Sequence, residues 1–119
     1  MQENISPGQR FVNVLNQTRA AVLRASERPE ERGIHIGQAV HLVRGDLMVC
    51  ARAVMTRTVA DRLAGLCEYM CARLGYAETH NVDAPFLEVI RLIDDLRRAS
   101  PSLDRTRALA GAGKEMGFS

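Results

Sequence analysis

Tryptophan is missing from this chain of 119 residues, and aromatic residues make up only 4% of it. A core short of large rings has to be built from Ala, Leu, Val, Ile and Met, which favours helices packed by aliphatic side chains. Lysine is nearly missing as well: 15 of the 16 basic residues are Arg. These are interspersed with 14 acids, for a net charge of +2, so no basic block marks a nucleic-acid surface. No stretch of about 18 apolar residues occurs, and no membrane insertion is expected. The opening MQENISPGQR lacks the basic region and apolar run of a secretory leader. Three cysteines, an odd number without an export signal, point to reduced thiols in the cytoplasm rather than to disulfides. A glycine-rich phosphate loop, a paired-histidine motif and an acid stranded in an apolar stripe are all absent, so neither an enzyme nor a cofactor is expected.

What is present is helical periodicity. Hydrophobic residues make up 46%, enough for one packed domain. From about Ser6 to Ala25, the residues Phe11, Leu15, Thr18, Val22 and Ala25 share one stripe. Ser6 is placed to cap it, Pro7 suits the first turn, and Gln9 stands where a capping box closes. A second helix is predicted over about Ile34 to Met55, with Ile36, Val40, Val43, Leu47, Cys50 and Val54 on its stripe. Its phase breaks at Arg57, Thr58 and Asp61. A turn is therefore expected at Met55–Thr58, with Thr58 capping a third helix over Val59 to Ala77. The segment ETHNVDAP reads as a loop, and Asp83 and Pro85 open a fourth helix that Ser100–Pro101 should stop at about Ala99. Four helices joined by short links predict an all-α fold, an antiparallel up-down four-helix bundle over residues 6–99. Residues 100–119, with little periodicity, are expected to form a mobile C-terminal tail.

Cys67 and Cys71, at i and i+4, lie on one helical face with His80 nine residues on. Zinc would need two further ligands from elsewhere, so Cys67 is read as a small buried hydrophobe beside Leu63, Leu66 and Met70, with no metal site. Asp94–Asp95 is read as a solvated helix face, and His35 and His41 as surface or boundary residues. The fourth helix carries more apolar surface than one face needs: Phe86, Leu87, Val89, Ile90, Leu92, Ile93 and Leu96 cover well over half its circumference. Leu42, Met48, Val49 and Met55 likewise fall off the second stripe. The excess either lines a groove for a partner helix or meets two neighbouring helices at once.

The run from Leu66 to Ala99, LCEYMCARLGYAETHNVDAPFLEVIRLIDDLRRA, resembles the third and fourth helices of the flagellar secretion chaperone family FliS. Leu66, Tyr69, Met70, Arg73, Leu74, Ala77, Asn81, Glu88, Val89, Leu96, Arg97 and Ala99 match its pattern without a gap. GIHIGQAVHLV resembles the start of its second helix, and Ser6–Pro7 the opening of its first. Departures are Cys67 in place of a tyrosine, Glu78 in place of an asparagine, Ser100 in place of a tryptophan, and a first helix without the family's Leu-Tyr-Asp-Gly. The pattern fits a divergent member, such as one serving a lateral flagellar system.

The resemblance implies a cytoplasmic export chaperone that binds the disordered C-terminal helical segment of flagellin and delivers it to the flagellar export gate. It further implies a monomer or weak homodimer. Off-stripe position and the resemblance together nominate Val12, Leu42, Val49, Tyr69 and Leu92 as partner-binding, with Ile5 covering the groove when it is empty. The alternatives are a self-associating structural bundle and a thiol or metal enzyme centred on Cys67 and Cys71.

Overall fold

The computed structural model describes residues 5–104, all of whose regular structure is helical. Helix α1 spans Pro7–Glu27 and α2 spans Arg32–Leu42, with a short 3-10 turn at Pro29–Glu31 between them. A π-helical turn, Val43–Leu47, joins α2 to α3, Met48–Val54. Leu42, Val43, Leu47 and Met48 all keep right-handed helical dihedrals, so α2, the π turn and α3 are one unbroken rod. Helices α4, Arg57–His80, and α5, Ala84–Leu103, complete four rods.

Helix α1 packs against both the second rod and α5, and α4 closes the ring by packing against the same two. Between α1 and α5, and between the second rod and α4, residue numbers rise on one helix as they fall on the other. Arg19 meets Asp94 while a β-carbon on Gly8 would strike the Asp104 carboxylate. Arg52 meets Asp61 while Arg44 meets Glu68. The core between the rods holds Phe11, Leu15, Val22, Leu47, Met70, Leu74, Phe86 and Ile93. The wide apolar face of α5 is explained by its two neighbours: Phe86, Val89, Ile90, Ile93 and Leu96 are buried, and of its large apolar side chains only Leu87 is exposed.

The predicted stripes identify the helices, but several ends move. Ser6 Oγ accepts from Gln9 N at 3.1 Å as expected, whereas the Gln9 side chain bonds Asn13 at 2.9 Å instead of returning to the cap. The cap of α4 is Thr56, not Thr58: its Oγ1 accepts from Val59 N at 3.3 Å. Asp61 pairs with Arg52 across the turn. Helix α4 also continues to His80, because Asn81 adopts the left-handed conformation, φ 52°, that closes a helix end. The loop before α5 shrinks accordingly.

Pro101 does not stop α5, which runs on to Leu103. The proline removes the donor that the Arg97 carbonyl would have used. The Ser100 hydroxyl supplies one instead, donating to that carbonyl at 3.0 Å. The predicted mobile tail falls mainly on residues 105–119, which lie outside the described residues.

The π turn changes the phase of the second rod. Its buried apolar residues are Ile36, Ala39, Val43, Leu47, Ala51 and Val54. Val40 and Cys50, predicted on the stripe, are only half-buried. Three successive steps of four residues, from Ala39 to Ala51, would drift by about 120° around a regular α-helix. One wide turn absorbs that drift and keeps all six residues facing inward.

Candidate partner-binding groove

Two faces bound a groove between α1 and the second rod. Near its middle and one end it is lined by Gln17, Ala20 and Arg24 of α1 with Gln38, His41 and Leu42. Toward the other end the lining is Arg10, Asn13, Val14 and Gln17 with Asp46, Val49 and Cys50. The two stretches meet at Gln17, and each set falls on one face of its helix at steps of three and four. Two of the predicted binding residues, Leu42 and Val49, lie here together; Val49 is 70% exposed.

The other predicted residues lie on different faces. Val12 sits in a recess between α1 and α5 with Arg19, Asp94, Arg97 and Arg98. Leu92 is half-buried against the core, and Ile5 is exposed just ahead of the Ser6 cap. Tyr69 is exposed on α4, where its hydroxyl donates to Glu88 of α5. Arg10, Gln17 and Arg24 of the groove were not found from the sequence. Their signal was a second set of steps of three and four on α1, offset from the Phe11 stripe.

Cys67 and Cys71 are both buried. Burial pushes the Cys67 thiol up to about 12 and also raises Cys71, the latter against the opposing pull of Arg44. Cys67 is buried in the core and its thiol points to the Met48 sulfur at 3.8 Å. His80 instead stacks on Tyr76 and donates to that residue's carbonyl at 3.1 Å. Among the described residues, no three His, Cys, Asp or Glu side chains converge to hold a metal.

Two histidine and acid expectations are corrected. His35 is buried, at 7% exposure, because it turns under α1: Arg24 Nε donates to its Nδ1 at 3.4 Å, and its Nε2 faces Glu31 at 3.1 Å. Asp94 is not a merely solvated acid. Arg19 grips both its oxygens, at 2.8 and 3.3 Å, and ties α5 to α1. A matching link joins α4 to α5, where Glu88 accepts from Tyr69 and, at 2.7 Å, from Arg73 Nε.

These links carry a pH dependence. The hydrogen bond from Tyr69, then that from Arg73, hold Glu88 below its ordinary range, and the bond from Arg19 does the same for Asp94. A carboxylate depressed in the folded state contributes stability above its unfolded value, about 4, and loses it as pH falls through the folded value. Melting temperature is therefore expected to drop on acidification below about pH 4.5. The double variant Glu88→Gln, Asp94→Asn should show a flatter acid limb in thermal melts between pH 6 and 2.5. An unchanged limb would show that these two acids do not carry it.

No helix among the described residues is long and apolar enough to cross a membrane. The family description "Flagellar protein FliS" matches residues 9–103. No curated protein and no solved structure matches the chain. The match takes in all of α2 to α5, nearly all of α1 and every residue of the groove, and the chain belongs to the FliS family of flagellar chaperones.

Proposed function

We propose that this protein is a cytoplasmic flagellar export chaperone. Its four rods make an antiparallel up-down bundle that binds the disordered C-terminal segment of flagellin. The observation that carries the reading is the groove between α1 and the second rod, with the half-buried Leu42 and the exposed Val49 along it. A groove of this kind suits an amphipathic helix laid along it. Covering the client's apolar face would prevent premature polymerisation and keep the segment competent for type III export. The client folds as it binds, and the ordering cost, about 2–5 kcal/mol or more, keeps the complex releasable. Val12, Tyr69, Leu92 and Ile5 extend the contact to further faces for a client that wraps the bundle, and the export gate is a second partner.

The test is a titration of the full chain with the C-terminal segment of a flagellin from the same genome, with light scattering to count chains. Tight 1:1 binding is expected. Leu42→Asp would set a carboxylate against the client's apolar seam and should weaken binding about 100-fold, with the circular dichroism melt still cooperative. A stable dimer that binds no flagellin segment would overturn the reading and favour the self-associating bundle.

A further inference from the structure

The charges along the groove are unevenly placed. At one end Arg10 and Asp46 both flank Cys50, so opposite charges share that end. At the other end Arg24 lines the groove with no acid beside it there. Its guanidinium donates to His35 Nδ1 at 3.4 Å and Gln38 Oε1 at 3.3 Å, neither of them a carboxylate. Among the described residues it forms no ion pair, whereas Arg19, on the neighbouring face of the same helix, is gripped by Asp94. Both Arg24 contacts are long for hydrogen bonds, and a carboxylate would replace them with shorter, charge-assisted ones. Gln17, Ala20, Leu42 and Val49 separate the two ends with no charge of their own. From Arg10 to Arg24 the helix rises about 21 Å, or four turns.

We propose that this groove takes a four-turn amphipathic helix that carries a carboxylate at one end, and that Arg24 clamps that carboxylate. The proposal rests on reading the groove as a partner site, and it adds the chemistry by which the partner's register is fixed. The apolar seam supplies contact area, while Arg24, with no acid near it in the groove lining, selects where along the groove the acid must fall. A helix shifted by one turn would carry its acid about 5 Å from the clamp.

The experiment uses the full chain and two designed helical peptides of about 16 residues, sharing one apolar seam at steps of three and four. One ends in Glu-Glu and the other in Gln-Gln. Wild type is expected to bind the Glu peptide about tenfold more tightly. Arg24→Gln should abolish that preference, and Arg24→Lys should retain part of it. Equal binding of the two peptides, or binding of neither, would overturn the proposal. The flagellin segment separates this from the chaperone reading. If it binds wild type and Arg24→Gln equally well, the clamp fails and the chaperone reading stands. If it does not bind while the Glu peptide is preferred, the clamp stands and the flagellin reading falls.

Discussion

Arg32→Ala should cost about 3 kcal/mol of folding stability and lower the melting temperature by more than about 10 °C. Arg32 opens α2, yet it is only 7% exposed, because four helix ends converge on its guanidinium. Nε donates to the Ala25 carbonyl of α1 at 3.0 Å. That carbonyl would ordinarily accept from residue 29, but Pro29 has no N–H to give. Nη1 donates to Asn81 at 2.8 Å, where α4 ends, and Nη2 to Asp83 at 3.1 Å, where α5 begins. The Arg32 Cζ lies 4.9 Å from the Phe86 ring centre.

Removing the side chain would orphan a buried carbonyl and unpin the turn between α4 and α5. The Asp83 pair contributes least, since that carboxylate is 74% exposed and rehydrates freely. Arg32→Lys can satisfy one of the three acceptors and should recover about a third of the loss. Urea or thermal denaturation followed by circular dichroism decides the matter. An Arg32→Ala melt within about 1 kcal/mol of the parent would show that water replaces the guanidinium without penalty.

Arg32 also marks the limit of what the sequence made legible. Period reports the angle of a residue about its own helix axis, and that sufficed for Phe11, Leu15, Val22, Met70 and Leu74, all buried where the stripes place them. It cannot report which neighbour covers a side chain. The apolar excess of α5 therefore became core, whereas Val49 became rim. For the same reason Val12, Tyr69 and Leu92, equally off-stripe, are spread over different faces from Leu42. Arg32, His35 and Asp94 carry polar side chains whose burial depends on partners distant in sequence, and no local pattern announces those. The helix ends were misplaced where one side chain outweighed a general rule. Thr56 took the cap from Thr58, and the Ser100 hydroxyl rescued the carbonyl that Pro101 left bare.

Deleting Gly45 is expected to leave the fold intact, with stability within about 1 kcal/mol of the parent. Deleting Gln17 is expected to abolish cooperative folding, a loss of more than about 3 kcal/mol. The contrast follows from the π turn. Val43–Leu47 holds one residue more than a regular turn needs, and the inward-facing set steps by four from Ala39 through Val43 and Leu47 to Ala51. Without Gly45 the step from Val43 to Leu47 becomes three, and the stripe from Ile36 to Val54 reads three, four, three, four, three. That is the spacing of an ordinary amphipathic helix, so both halves of the rod keep their faces.

Gly45 also has open space where a side chain would sit, so its removal takes away no side-chain packing. Helix α1 has no such surplus. Removing Gln17 rotates everything after it by about 100°, which turns Thr18, Ala21, Val22 and Ala25 out of the core together. Because α1 packs against both the second rod and α5, no rotation of the whole helix can restore both halves. Circular dichroism melts of the two deletions make the comparison direct. A Gly45 deletion that unfolds as completely as the Gln17 deletion would mean that the wide turn is required by the packing around it, and that the extra residue is not a phase correction.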